Sequence, residues 1–336
     1  GRAPVPDEAL GFTLVEYTPE ESQVLHGVEV DECRFHLGTP GRTWIDVAGR
    51  ASSEMLRDLG MAFNLHPLAL EDVFHAHQRS KLDLYEGQGF IVLSDPAYED
   101  GELKQRQVSI FFGENYVISF HDHKTDIFKP VRDRVQTAGS RLRMFGIDYL
   151  VYALIDLVVD RKFPIIEALA AHLEALEDEA LGDATGETLA HIHQARRALV
   201  TFHRLEWAER ETVLSVMRPE TPFIMPETRT YLRDCSDHTV AVLDLVESYR
   251  EMTNGLMEVY LMQSSNRMSE VMKTMAIITV FFMPLSFLAG IYGMNFERDV
   301  GNMPELGWKY GYAFFWVTVV VIVVGLFWWL KRKRWI

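Results

Sequence analysis

Met275–Tyr292 reads MAIITVFFMPLSFLAGIY and Gly311–Leu330 reads GYAFFWVTVVVIVVGLFWWL, and neither stretch holds a charged residue. Each is long enough to cross a hydrocarbon core of ~30 Å at ~1.5 Å of rise per helical residue. A pair of buried core helices would share this composition, and the flanks separate the two readings. Lys331-Arg332-Lys333-Arg334 follows the second stretch directly, and Trp328, Trp329 and Trp335 bracket that end as an interfacial belt does. An excess of Lys and Arg marks the cytosolic side of a span. The C-terminus is therefore expected in the cytosol, and two spans return the N-terminal 270 or so residues to the same side. Only Gly293–Tyr310 (GMNFERDVGNMPELGWKY) is left outside, where Glu297, Asp299 and Glu305 would attract cations.

The charge is divided in the same way. The whole chain has 33 Lys+Arg against 48 Asp+Glu, a net of -15. Residues 272–336 hold seven basic and three acidic residues, a net of +4, which leaves -19 in the first 271. Phosphate binding needs clustered Lys and Arg that release counterions, so this balance argues against nucleic acid and for cations as partners. Cys33 and Cys235 are too few and too far apart in sequence for a disulfide framework or a thiolate metal site, which fits a reducing cytosol. Gly1 to Leu10 has neither the basic start nor the apolar run of a secretory signal.

Between the N-terminus and the first apolar stretch, two patterns alternate. Residues 28–120 contain short apolar or alternating runs (VEVDECRFHL, TWIDV, FIVLSDPA, QVSIFFG, NYVISF) broken by turn residues, which read as strands. Helices are expected at Ser52–Leu59 and Pro67–His75. From about Gly146 the pattern is helical, with Leu154, Leu157 and Val158 on a face continued by Ile165, Ile166, Leu169, Leu173 and Leu176. A second helix is expected over about Glu187–Met217, and a third from Pro226 without a breaker cluster until Pro284, about 65 residues and ~100 Å long. Gly255 costs such a helix ~1 kcal/mol, and a proline inside a membrane helix is accommodated as a kink.

Tyr292-Gly293-Met294-Asn295 at the end of the first span, Met303-Pro304-Glu305-Leu306 in the loop, a second span and a basic tail together resemble the CorA family of magnesium transport proteins. The likeness extends to Asn266–Lys273, to Tyr231–Thr239 (YLRDCSDHT) and to His66–Lys81 (HPLALEDVFHAHQRSK). It implies an α+β cytosolic domain with long stalk helices and a two-helix transmembrane hairpin, assembled as a funnel-shaped homopentamer in the cell membrane with both termini cytosolic. On this reading residues 1–25 are an N-terminal segment of uncertain structure, 26–140 the α/β domain and 141–271 the stalk region. Residues 272–292 form the pore-lining helix, 293–310 the external loop, 311–330 the second span and 331–336 the tail.

Two spans cannot enclose water, so conduction needs a ring of copies, and a closed cyclic assembly is the simplest. Met272, Met275, Thr279, Met283, Ser286 and Gly290 recur at spacings of three or four. Periodicity alone favours a helix-packing stripe. The resemblance makes these residues the pore lining instead, with polar rings at Thr279 and Ser286 between apolar rings that gate by dewetting. Family members typically have Asn where Ser269 stands here, at the inner mouth. Gly293, Met294 and Asn295 would form the selectivity site. Mg²⁺ dehydrates reluctantly, and a ring of Asn295 amides accepts hydrogen bonds from its waters without the charge that would trap it. Asn295 is also a residue type that caps helices.

The chain contains no Walker A sequence and neither span an ionisable residue, which favours passive conduction over a pump or a proton-coupled carrier. By the resemblance, cytosolic Mg²⁺ binds between subunits and closes the ring, and the matching carboxylates are Glu71, Asp72, Asp234 and Asp237, with Asp156 as a further candidate. Mg²⁺ is thus both cargo and regulator, with Co²⁺ and Ni²⁺ as further ions. A Zn²⁺ or Co²⁺ transporter of the related ZntB type, or a membrane-tethered sensor that conducts nothing, are the competing readings. Met294 favours magnesium, since the zinc branch typically has Ile there. His75/His77, His121/His123 and His191/His193 are candidate imidazole pairs, but residues two apart on a helix face different sides. No nucleophile, base and orienting group converge in a motif, so an enzyme is not expected.

Overall fold

The computed structural model describes residues 11–28, 30, 33, 41–49, 51–75, 78–99, 101–122, 125–182, 184–294 and 303–335. They divide into two units, Gly1–Met257 and Glu258–Ile336.

The first unit is built on a seven-stranded sheet. Its strands are β1 (Gly11–Tyr17), β2 (Ser22–His26), β3 (Arg42–Ala48), β4 (Lys81–Tyr85), β5 (Gln88–Ser94), β8 (Gln107–Phe112) and β9 (Tyr116–His121), in the order β2-β1-β3-β9-β8-β5-β4. Strands β6 (Ala97–Glu99) and β7 (Glu102–Lys104) form a separate hairpin. All neighbours in the large sheet are antiparallel except β3 and β9. A parallel pair needs a long crossover, and the chain between β3 and β9 supplies it with helices α1 (Ser53–Phe63) and α2 (Pro67–Phe74). Ser52 caps α1 by accepting from the Met55 amide at 3.2 Å, and Asn64 ends it in the left-handed region at φ 49°.

Successive strand residues point to opposite faces. Leu14, Ile45, Phe90, Val92, Phe111, Ile118 and Phe120 pack on α1 and α2, whereas Val15, Trp44, Ile91, Leu93, Val108, Ile110 and Val117 pack on the other layer. That layer holds α3 (Lys129–Gln136), α4 (Arg141–Met144), α5 (Ile147–Asp160) and parts of two longer helices, α7 (Gly186–Val216) and α8 (Pro226–Tyr292). With both faces covered, β5 and β8 are buried at every residue, which is why they read as unbroken apolar runs.

Several expectations change. Val30 and Cys33, in the run read as a strand, are helical, and Cys33 is fully buried beside Val30. Positions three apart share a helix face, and burial there overrides the strand preference of the run. Residues 11–17 and 22–26, read as a segment of uncertain structure, form one end of the sheet, so the α/β layer begins well before residue 26. The helical pattern after Gly146 breaks into α5 and α6 (Phe163–Leu181), because Pro164 cannot donate into a continuous helix. Helix α7 starts at a box in which Thr185 and Thr188 side chains each accept from the other's backbone.

The α5–α6 junction carries a buried charge cluster. Lys162 Nζ lies 3.0 and 3.1 Å from the two Glu206 carboxylate oxygens and also donates to Glu209, and all three side chains are fully buried. Glu209 accepts in addition from the Ser94 amide at 3.0 Å, so the cluster ties the junction to α7 and to the end of β5. Burial opposes the charge on Lys162, but the two glutamates outweigh it and raise its pKa. One ammonium cannot balance two buried carboxylates. Burial, with Glu209 adding to it, pushes Glu206 up to about 8 although Lys162 works the other way.

An acid whose pKa is raised by folding contributes fully below its unfolded value, and its contribution is lost as pH rises through the folded value. Glu206 should therefore cost the fold a few kcal/mol between about pH 4.5 and 8. Glu206→Gln, which keeps the shape of the protonated acid, should flatten that loss in thermal unfolding at pH 5, 7 and 8.5. Parallel pH profiles for parent and variant would contradict it.

Candidate functional site

Among the described residues, the last part of α8 and helix α9 (Gly311–Arg332) are the two helices long and apolar enough to cross a membrane. None of the most apolar 18-residue window of α8 is buried, and 6% of that of α9. Met272, Met275, Thr279, Met283, Ser286 and Gly290 are all exposed. At 100° per residue they fall within an arc of about 80°. The half-buried positions Ile277, Phe281, Pro284, Leu285, Leu288 and Ile291 lie on the opposite side of the helix. Thr279 donates its hydroxyl hydrogen to the Met275 carbonyl at 2.9 Å, which satisfies that donor within the helix. Its oxygen keeps a free lone pair on the exposed face. Ser269 does the same with the Ser265 carbonyl at 2.9 Å.

Helix α8 ends with Gly293 donating to the Ala289 carbonyl at 2.9 Å and Met294 to that of Ile291 at 3.2 Å. A Cβ at Gly293 would meet the Ala289 carbonyl oxygen at 3.2 Å, so a side chain there would crowd the last turn. Gly293 and Met294 are both exposed. Asn295 lies outside the described residues, as do Glu297 and Asp299.

The described part of the loop, Met303 to Tyr310, is organised around Glu305. The backbone turns at Met303, which is left-handed at φ 42°, into a 3-10 turn over Pro304–Gly307. The Tyr292 hydroxyl is 3.5 Å from Glu305 Oε1, the Tyr292 ring meets Phe315 edge-on at 5.2 Å, and the Glu305 carbonyl accepts from the Trp308 amide at 3.2 Å. A Cβ on Gly311 would sit 2.3 Å from that same carbonyl oxygen. Glu305 therefore joins the end of the first apolar helix to the start of the second, and it is half-buried, not held out to solvent as the sequence suggested.

The expected regulatory carboxylates are spread over the first unit. Asp72, on α2, pairs with Lys81 Nζ at 2.7 Å, which also holds Asp83 at 2.6 Å. Burial opposes the charge of Lys81, but its hydrogen bonds to Asp72 and Asp83 outweigh that and raise its pKa. Glu71, Asp234 and Asp237 are exposed. Among the described residues none of these four joins a group of three close metal-ligand atoms. The one group of three close His, Cys, Asp or Glu ligand atoms among the described residues is Asp156, Asp160 and His238. Sequence reasoning reached Asp156 but missed the other two, although the four-residue step from Asp156 to Asp160 placed both on one face of α5.

Of the three histidine pairs, His191/His193 is described in full. His121 is buried, its Nε2 3.6 Å from Asp46 Oδ1, in a cluster with Ser119 and Arg132. His75 follows the last turn of α2, and His77 and His123 lie outside the described residues. His191 and His193 flank the fully buried Ile192 on α7, and His191 reaches Glu179 at 3.5 Å.

A large α/β unit, a helix that runs on into an uncharged apolar segment, and a second apolar helix with a basic end define a membrane protein of the two-span class. The chain belongs to the CorA-like Mg²⁺ transporter protein family, whose profile matches residues 41–332. A Thermotoga maritima protein named cobalt/magnesium transport protein CorA is 38% identical over 331 residues, covering 98% of this chain and 93% of that one. The complete CorA magnesium transporter from Methanocaldococcus jannaschii has the same fold, with a TM-score of 0.81 at 22% identity over 96% of this chain and 98% of that one. The full-length CmaX protein is similar as well, with a TM-score of 0.72 at 19% identity over 99% and 100%.

The close approach at Gly311 gives a direct test. Gly311→Ala forces a methyl group against a backbone oxygen that cannot rotate away, an overpacking cost of about 1–3 kcal/mol. It should lower the thermal midpoint of the purified protein by several degrees, whereas Gly307→Ala, where a Cβ meets nothing within 4 Å, should leave it within a degree or so. Equal midpoints for the two variants would show that Glu305 does not join the helices.

Proposed function

We propose that this chain is the subunit of a cyclic homopentameric channel that admits Mg²⁺, and also Co²⁺ and Ni²⁺, down the membrane potential and closes when cytosolic Mg²⁺ binds between subunits. The observation that carries the reading is the uncharged segment of α8, with six small, polar or thioether residues exposed along one arc. Family membership and the name of the Thermotoga maritima relative support the same cargo.

In this reading both termini lie in the cytosol and the two apolar helices cross the cell membrane. The exposed arc of each copy lines the path, with Thr279 and Ser286 offering oxygens to the waters of a hydrated ion. Met272, Met275 and Met283 form the apolar constrictions, and Gly290 leaves room at the outer end. Asn295, beside Gly293 and Met294, holds the hydrated ion at the outer mouth by its amide. A potential of about 100 mV is worth ~4.6 kcal/mol to a divalent ion, enough for ~2,000-fold accumulation without another energy source. Restraint comes from Asp72 and Glu71 of one subunit and Asp234 and Asp237 of the next, with Mg²⁺ as their shared counter-ion. Lys81 is a built-in competitor for the ion, because it pairs with Asp72 at 2.7 Å.

Flux into proteoliposomes tests this reading. Asn295→Ala should reduce Mg²⁺ uptake by about tenfold or more while the oligomer, followed by native mass spectrometry, stays pentameric. Normal uptake in an intact pentamer would remove Asn295 from the path, and absence of flux in the parent would leave a tethered sensor. Lys81→Gln should shift closure to lower internal Mg²⁺ by up to about fivefold, the worth of a half-exposed ion pair. An unchanged or higher closing concentration would separate Asp72 from the sensor.

A further inference from the structure

A cleft of about 540 Å³ lies where the residues just before β4 and just after β7 meet α7. Arg79 and Ser80 line it from the first side, Gln105 from the second, and His203, Arg204 and Trp207 from the helix. His203 and Arg204 precede Trp207 by four and three residues, so all three side chains share one side of α7. The helix packs against β4, β5 and β7, which fixes the walls relative to one another. Pockets for small organic ligands run from about 300 to 1,000 Å³, so the cleft has room for more than a bare ion.

Its walls are basic in a part of the chain that is otherwise strongly acidic. Among the described residues neither Arg79 nor Arg204 pairs with a carboxylate. The neighbouring cations do: Glu99 holds Lys104 at 2.6 Å and Arg106 at 3.1 Å, and Glu211 holds Arg210 at 3.2 Å. Arg79 and Arg204 are both exposed, so a ligand can reach them. Ser80 is buried, and its hydroxyl has no hydrogen-bond partner among the described residues, a costly state for a group that can both donate and accept. The Trp207 ring is half-exposed, with the His203 ring nearly parallel to it at 6.4 Å and the Arg210 guanidinium 6.0 Å from its centroid. His203 in turn has its Nε2 3.7 Å from Glu247 of α8, which limits how the imidazole turns. A flat aromatic surface thus stands beside two arginines that lack a counter-ion.

We infer that this cleft binds a nucleoside phosphate, with Arg79 and Arg204 on the phosphate oxygens and the base stacked on Trp207. Guanidinium groups match phosphate oxygens with paired hydrogen bonds, and they keep their charge at every physiological pH. An indole face takes any base, because every base has a flat π surface. Gln105, with both a donor and an acceptor on its amide, supplies a partner for a base edge or a sugar hydroxyl. The two halves of the site select the ligand jointly. Inorganic phosphate would leave the indole and most of the volume unused, and an uncharged nucleoside would leave both arginines without a counter-ion. The site uses none of Glu71, Asp72, Asp234 and Asp237, and it depends neither on conduction nor on a second subunit.

The test is isothermal titration calorimetry of the full-length protein in detergent with ADP, pyrophosphate and adenosine, in EDTA so that divalent ions take no part. We expect one ADP per chain, with adenosine and pyrophosphate each weaker by about tenfold or more. Arg79→Gln and Arg204→Gln should each weaken ADP by about tenfold, the loss of a charge-assisted contact. Trp207→Leu should weaken ADP by about tenfold and leave pyrophosphate unchanged. Arg57→Gln removes the same charge from α1, on the other face of the sheet, and should bind ADP as the parent does. All four positions are exposed, so folding is not at stake. Absence of ADP binding, or undiminished binding in both Arg79→Gln and Arg204→Gln, would overturn the site. Pyrophosphate bound as tightly as ADP, with Trp207→Leu without effect, would overturn the assignment of a nucleoside phosphate.

Discussion

A helix that leaves its apolar side chains uncovered has to be covered by something other than its own chain. Met272, Met275, Ile278, Phe282, Met283 and Phe287 are all roughly half or more exposed on α8. At about 1.5–3 kcal/mol for each large apolar side chain, leaving these six in water would cost roughly 10–20 kcal/mol, as much as the whole stability of a typical domain. Lipid can cover the outward part of such a surface. It gives no reason for one arc to carry Thr279, Ser286 and Gly290 among methionines, which suits contact with water and with other copies of the chain. The proposed ring of subunits follows from that constraint.

The first unit handles charge by the opposite rule. Its acidic excess sits on the surface, while the few charges inside are held by partners. Asp46 is an example: burial works against its ionisation, but His121, Ser119 and Arg132 together outweigh it and keep its carboxyl below the usual range. Ser119 stands opposite Asp46 across the parallel β3–β9 pair, donates to it at 2.6 Å and accepts from the Trp44 indole at 3.0 Å. Where the balance fails inside, as at Glu206, a proton makes up the difference.

The spans, the long helix and most strands were legible because each rests on a local pattern: uncharged length, period 3.6, or apolar runs between turn residues. Residues 11–17 escaped notice because a single strand's identity depends on partners, here β3 and β2, that lie elsewhere in the sequence. Val30–Cys33 misled for the same reason. The break at Pro164 is legible locally, but the apolar face that continues across it hides it. Of the candidate site, the exposed arc on α8 was visible as spacing, but the role of Glu305 was not, since it depends on Tyr292 and Gly311 converging on one loop carboxylate and carbonyl. Lys162, Glu206 and Glu209 are separated by more than forty residues from one end to the other, and as sequence they are three ordinary charges on solvated helices.

The central claim is passive, potential-driven conduction of a divalent ion, and the reversal potential of current through the purified protein in a planar bilayer tests it most directly. With Mg²⁺ as the permeant ion, the account predicts a reversal potential that shifts by about 30 mV for each tenfold change in the Mg²⁺ gradient and ignores a pH gradient imposed across the same membrane. No current under any gradient, or a reversal potential that follows the proton gradient, would contradict it.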